Sequence, residues 1–399
     1  MPPTAHLSIR IRSIAIFAFV ALLCGTQALA TKRPGDKDVV IRSIGKQPSQ
    51  LVFACDRPTS QLAALFTPQL IADLKALHAG IALSIEDFSP ARAQVVQQLN
   101  AAGIPMTAWI VLPKEQGYYV NASNAAQTAE RFEGFDKWTT ANGLRWQAVG
   151  LDIEPNYSEF ADFHGHKLRL AWTLIKRAFD GKRVQRARAA YTALIGKIRS
   201  RGYSVQTYQL EFIVPERKAH STLLERILGV VDVRGDDEVL MLYSSFNHKM
   251  GAAVISQFAP DAQTVAIGST APSGDAAMDK KYPPLNWEEF SRDLLVAHHF
   301  SPVIGVYSLE GCVQQGFIPR LKTMDWKQTV VIPASSVQEA FHVARGIQSV
   351  LWIGSHLFYF IAFFLLLAIW LVRMFVKWRR RKRAARMVES QTAGTARQN

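Results

Sequence analysis

Residues 146–156 read Trp-Gln-Ala-Val-Gly-Leu-Asp-Ile-Glu-Pro-Asn. In an extended chain the side chains alternate. Val149, Leu151 and Ile153 then share one face, and Ala148, Gly150, Asp152 and Glu154 share the other. Three aliphatics suit a face packed under helices. Small residues crowned by two acids suit the inside of a barrel, whose chemistry gathers where the strands end. Pro155 has no N–H for a ladder and stops the strand.

Seven further runs of the same kind flank this one. They are Leu51–Cys55, Ile81–Ile85, Met106–Leu112, Ser204–Val214, Glu238–Ser244, Thr264–Gly268 and Pro302–Glu310. Between them apolar residues recur at helical spacing. Pro90–Ala102 opens on Ser89 as N-cap with Pro90 in its first turn and closes at Gly103. Asn124–Asn142 sets Phe132, Phe135 and Trp138 three apart before Gly143. Lys167–Ser200 reads as helix broken near Gly181. Eight strands alternating with helices over residues 49–328 predict a (β/α)8 TIM barrel. The competing open, doubly wound sheet would carry a Gly-rich phosphate loop after its first strand, and none is there.

The flanks explain the charge. The 399 residues carry a formal +14, which invites a nucleic-acid reading. Residues 1–30 read as a cleaved signal peptide, with Arg10 and Arg12, an apolar run Ile14–Leu23 and Ala28-Leu29-Ala30. Residues 350–372 are almost wholly apolar and predict a transmembrane helix. The tail, residues 373–399, holds nine Lys/Arg and one acid and predicts a cytoplasmic end. Residues 31–372 are left with 35 basic and 31 acidic residues. The charge thus reports topology: a single-pass cell-membrane protein, its N-terminal domain extracytoplasmic, its helix and basic tail touching lipid, with no nucleic-acid partner expected. Residues 31–48 read as a leader and 329–349 as a juxtamembrane linker.

Asp152 and Glu154, two apart on one strand face, lie about 6–7 Å apart by the strand rise. Each opposes ionisation of the other, and burial adds to that. One of them kept protonated near neutrality is what a general acid requires. The plainer readings of such a pair are a buried Arg partner or a metal. No histidine cluster accompanies it, and His164, His166, His298 and His299 read as ordinary histidines; no metal and no cofactor are expected. A second carboxylate could come from Glu310, preferred because it ends the eighth run beside Gly311. The alternatives are Glu211, or Glu86 or Asp87. A rim salt bridge is the structural alternative for Glu310.

Gly150-Leu151-Asp152-Ile153-Glu154-Pro155 resembles the catalytic strand of chitinase-like, family 18 glycoside hydrolases, whose pattern is D-G-x-D-x-D-x-E. Asp152 and Glu154 match its last Asp and Glu. Gln147, Ala148 and Gly150 stand where the earlier Asp, Gly and Asp fall. Met241-Leu242-Tyr243-Ser244 is similar to the family's M-x-Y-D, with Ser244 for Asp, and Tyr307 stands where those barrels often carry Trp. The resemblance implies Glu154 as acid/base, Asp152 as its partner, Tyr243 at the reacting sugar, and the substrate's acetamido group as nucleophile. Glu154-Pro155-Asn156 also resembles the end of the N-E-P motif of retaining glycosidase barrels, with Ile153 for Asn. That family's strand-seven nucleophile has no counterpart in Ile267-Gly268-Ser269, which leaves Glu310 for the role.

A pyranose ring has an apolar face that stacks on aromatics. Trp109, Tyr118, Tyr119 and Tyr307 stand at or after strand ends and are the candidate platforms. The expectation is a membrane-anchored glycoside hydrolase-like protein cleaving a polysaccharide or glycan. The rival is an inactive glycan-binding or envelope-scaffold barrel. Cys55 and Cys312 would lie at the same end of neighbouring strands in a closed barrel, and a disulfide between them is expected, with two free buried thiols as the alternative.

Overall fold

The computed structural model describes residues 37–42, 44–156, 167–272 and 276–395. The expected signal peptide and His164 and His166 lie outside them. Eight strands form the centre: β2 (Gln50–Cys55), β3 (Gly80–Ile85), β4 (Met106–Ile110), β5 (Ala148–Ile153), β6 (Ser204–Leu210), β7 (Asp237–Met241), β8 (Thr264–Gly268) and β9 (Val303–Tyr307). Each pairs in parallel with the next, and β9 pairs back onto β2, with Gln50 opposite Val303 and Ala54 opposite Tyr307. The sheet is closed, so the open-sheet alternative falls.

The alternation in β5 is as its residues dictate. Val149, Leu151 and Ile153 are fully buried beneath the helices. Gly150 faces inward, where an added Cβ would come 2.8 Å from the Tyr208 ring and 3.4 Å from Thr107. Small residues on neighbouring strands make room for large ones: a Cβ on Gly305 would sit 2.9 Å from that of Ala266. Met241, Val239 and Ala266 pack with Tyr208 in one inner group, and Trp109 with Ala54 and Tyr307 in another.

The helices that matter for the site follow in chain order. α1 (Thr59–Leu65), α2 (Pro68–Ala76) and α3 (Pro90–Ala101) come before β4, and α4 (Ala125–Asn142) follows it. Ser89 caps α3 by accepting from the Arg92 N–H at 3.2 Å. α4 stops at Gly143, whose φ of 60° is left-handed, and buries Phe132, Phe135 and Trp138. α5 (Lys167–Ala178) and α6 (Gly181–Ser200) connect β5 to β6, broken before Gly181 as the sequence suggests. α7 (Ile213–Lys218) and α8 (Leu223–Leu228) follow β6. α9 (Ala252–Phe258), α10 (Ala276–Lys281) and α11 (Trp287–Phe300) complete the ring before β9, and α12 (Leu309–Gln314) and α13 (Phe317–Lys322) follow it.

Four strand ends fall short of the sequence reading by two residues or more. β4 stops at Ile110, β6 at Leu210, β7 at Met241 and β9 at Tyr307. In each case an apolar run continues, but the residues after the strand turn into a loop or a new helix. An apolar run carries no mark of where a strand becomes a buried helix. Glu211 and Glu310 therefore leave the strands: Glu211 precedes α7, and Glu310 is in the first turn of α12.

Both stretches read as linkers carry folded elements. β1 (Val39–Ile41), inside the expected leader, pairs antiparallel with β10 (Val330–Ile332), inside the expected juxtamembrane linker. His298 and His299, at the end of α11, bond the carbonyls of Lys46 at 2.8 Å and Arg42 at 3.3 Å and hold this arm. α14 (Ala334–Ser355) then packs along α7, α8 and α9.

The expected span, residues 350–372, is divided. Leu351 and Ile353 are buried at the end of α14. A Cβ on Gly354 would come 2.5 Å from Leu223, and Ser355 Oγ meets Ser221 Oγ at 2.8 Å. Docking on the barrel, not lipid, accounts for those apolar residues. The chain breaks at His356, and α15 (Leu357–Thr395) begins. Its segment Leu357–Lys382 is long and apolar enough to cross a membrane, and its most apolar stretch has no buried residue.

Candidate active site

A cleft of about 560 Å³ opens at the C-terminal ends of the strands. Asp152 lines it from β5 and Glu154 from the residue just past its end, Trp109 from β4, and Tyr208 from β6. Tyr243 lines it from the turn after β7, and Tyr307 from β9. Of the residues expected from the sequence, Glu310, Tyr118 and Tyr119 line it too. Asp87, Glu211 and Ser244 do not.

The loop after β4 is stitched onto the end of β5. Val120 N–H donates to the Asp152 carbonyl at 2.8 Å, and Glu154 N–H donates to the Val120 carbonyl at 3.2 Å. Gly117 has φ 103° and sits within reach of three Asn side chains, where a Cβ would crowd Asn156, Asn121 and Asn124 at 3.0–3.2 Å. Asn121 and Asn124 both donate to the Tyr119 carbonyl. These bonds hold the Tyr118 and Tyr119 rings edge to face, with centroids 5.0 Å apart. The Tyr118 hydroxyl donates to Asp56 Oδ1 at 2.5 Å.

Asp152 is almost entirely buried, and its Oδ1 has no hydrogen-bond partner. Trp109, whose indole N–H bears on Asp152, likewise has no partner of good geometry for its Nε1. A buried polar atom left unpaired is costly, and both of these atoms belong to residues that line the cleft. Burial, then the Glu154 carboxylate, then Asp56 push the Asp152 carboxyl well above its ordinary range. Burial and the neighbouring Glu211 raise Glu154 to about 7. Glu211 is itself raised by burial.

The aromatic side is continuous. Tyr243 and Tyr307 stack with centroids 5.8 Å apart and planes at 17°. Trp109 meets Tyr307 edge-on at 6.4 Å. Phe246, 54% exposed, extends the wall from Tyr243 to Tyr282 at the rim.

Glu310 reaches the cleft from helix α12. Gly311 packs so tightly on the Thr270 backbone that a Cβ there would overlap it at 2.3 Å. Glu310 Oε1 lies 4.0 Å from Arg57 Nε, its Oε2 has no partner, and burial raises it. Asp87 is structural. Burial pushes its carboxyl up, but bonds from Ser89 and Thr59, with Arg92 nearby, outweigh this and hold it at about 2. Glu86 lines the cleft 3.6 Å from the buried Arg92 and is raised by burial. Ser244 turns outward and donates a short hydrogen bond to buried Asp293.

The expected Cys55–Cys312 disulfide is not formed; both cysteines are buried free thiols. Cys312 lies a turn into α12, beyond the strand end, and its Sγ meets Thr270 Oγ1 at 3.6 Å. Burial raises it to about 12 and raises Cys55 as well.

Asp56, Arg57, Lys114 and Tyr208 also line the cleft and escaped the sequence reading. Asp56 had a usable signal, since it directly follows the first barrel strand. Tyr208 faces inward in alternation with Gln206, but its run shows no small-then-acidic face to mark the inside.

No protein-family model and no curated protein matches the chain. Among solved structures it is similar to the glycoside hydrolase domain of PgaB (BpsB) from Bordetella bronchiseptica. That likeness has 12% identity, covers 69% of this chain and 98% of that one, and has a TM-score of 0.39. It is also similar to a D-allulose 3-epimerase from Methylomonas sp., at 10% identity over 75% of this chain and 99% of that one, with a TM-score of 0.36. ScGas2 is matched at 13% identity over 78% of this chain and 68% of that one, also at 0.36. Likenesses this distant carry no weight on activity, and the closed barrel rests on its own strand register.

Proposed function

We propose that the chain is a membrane-anchored, extracytoplasmic glycoside hydrolase acting on a polysaccharide or glycan. The observation that carries this is the pair on β5: Glu154, poised near 7, beside a buried Asp152 with an unpaired oxygen, under a wall of Trp109, Tyr243 and Tyr307. Protonated Glu154 donates to the glycosidic oxygen as the bond breaks, and its carboxylate then activates the water that completes hydrolysis. The Asp152 and Trp109 polar atoms orient the sugar beside the scissile bond, and the Tyr243 hydroxyl bonds the reacting ring. Either Glu310 or the substrate's own acetamido group supplies the nucleophile. The basic residues that follow the apolar stretch within α15 support a cytoplasmic C-terminus, with the barrel on the other side.

The full chain in detergent, presented with a glycan panel, tests this reading. Turnover that Glu154→Gln reduces by two or more orders of magnitude supports it. Turnover unaffected by that change overturns it. Azide rescue of Glu310→Ala identifies an enzyme nucleophile. Inhibition by a thiazoline, with Glu310→Ala still active, identifies substrate assistance. A second reading, glycan binding without cleavage, is favoured by Gly150 in place of an acid and by Ser244 turned away from the cleft. Binding without turnover across the panel would establish it.

A further inference from the structure

The connection between β5 and β6 holds a surface that the cleft does not use. On α5, Trp172, Ile175 and Phe179 are 60%, 52% and 78% exposed. At 100° per residue they form one narrow stripe, with Phe179 just past the helix end. The opposite side of α5 packs on α8. Among the described residues outside α15, few aromatics are this exposed.

The charge around the stripe is one-sided. Residues 172–190 contain six Lys/Arg and one acid, Asp180, although residues 31–372 together are only +4. Lys176, Lys182 and Arg186 are exposed, and Lys176 Nζ sits 5.4 Å over the Trp172 ring. Arg188 is engaged with Glu225 of α8 at 2.7 Å. Lys176 flanks the apolar stripe directly.

The position of α5 says what covers it. α8 is six residues, about 9 Å long. It packs on α5 and also on the end of α14, where Leu223 lies against Gly354 and Ser221 meets Ser355. Two residues after Ser355 the candidate span begins. The stripe is therefore about two helix diameters from the point where the chain would enter a bilayer.

We propose that α5 is an interfacial helix, laying Trp172, Ile175 and Phe179 into the headgroup–acyl boundary of an anionic bilayer beside the chain's own span. Apolar residues with an aromatic enter the boundary while the flanking cations meet lipid phosphates. This goes beyond the glycosidase reading and rests only on α15 spanning the membrane. α5 is the first described helix after β5, and its docking would orient the barrel, and with it the cleft, against the surface.

The full chain, with Cys24→Ser and in lipid nanodiscs, carries a nitroxide at Phe179→Cys or, as reference, at Ala72→Cys on α2. α2 follows the first barrel strand, across the barrel from α8. Retention in the discs reports the span separately. In discs containing phosphatidylglycerol, the ratio of oxygen to nickel-chelate accessibility is expected to be several-fold higher at Phe179 than at Ala72. It is expected to fall towards the Ala72 value in phosphatidylcholine alone, or when Lys176, Lys182 and Arg186 are all changed to Gln. Equal ratios at both positions in anionic discs overturn the proposal. So does a ratio indifferent to lipid charge and to the triple change. Spin–spin broadening at Phe179 would assign the stripe to a second copy of the chain and overturn it as well.

Discussion

The hydroxyl of Tyr118 donates to Asp56 across 62 positions of sequence, at 2.5 Å. The bond fastens the loop after β4 to the residue following β2, so two strand ends on the same side of the barrel share one wall of the cleft. Tyr118→Phe removes the bond and leaves the ring. A hydrogen bond to a charged group contributes about 1.5–3 kcal/mol. The variant is expected to lose unfolding free energy of that order, read as a lower unfolding temperature, and to raise KM more than it lowers kcat. Calorimetry and steady-state kinetics check the two parts.

Glu154 ionises at 4.5 in an ordinary setting and at about 7 here. Between those values the folded protein holds a proton that the unfolded chain has released, so this group withdraws stability as pH rises through that window. Glu154→Gln abolishes the effect. Its melting temperature is expected to exceed the parent's at pH 8 and to match it at pH 4. A parent and variant with parallel pH profiles would show that Glu154 ionises normally. In activity, the acid's limb is expected to fall as pH passes about 7.

Gly150→Ala places a methyl group 2.8 Å from the Tyr208 ring. Tyr208 is packed in the barrel and cannot swing clear without displacing Met241 or Val239. Overpacking of this kind costs about 1–3 kcal/mol, read as a lower denaturant midpoint with unchanged slope.

Cys55 and Cys312 are expected to resist a thiol reagent in the native protein and to react together on unfolding. Intact mass is expected to be the same with and without reductant. A mass two hydrogens higher after reduction would establish a disulfide between them.

The barrel was legible because its signal is repeated: eight runs with helical spacing between them need only be counted. The β5 pair was legible because alternation fixes Asp152 and Glu154 to one face without any tertiary knowledge. Glu211 and Glu310 were placed on strands because hydrophobic runs flow unmarked from β6 into α7 and from β9 into α12. Asp56 was legible as the residue directly after β2, but its bond to Tyr118 depends on the path of the loop after β4, which the sequence does not mark. The long apolar helix starts at Leu357, seven residues past the expected Val350, because the sequence of Val350–Ile353 is equally apolar whether it meets lipid or packs beside Leu223.

One consequence lies in the docked helix α14. A flexible coil spanning residues 329–349 would have a root-mean-square length of roughly 25 Å, enough to let a tethered enzyme sweep a volume around its anchor. Instead β10 is fastened to β1 and α14 lies along the barrel, so freedom between the barrel and α15 is confined to the break at His356. With α15 in a bilayer, the cleft would stand at a set height above it, and on the proposed reading a glycan would have to come to that height to be cut.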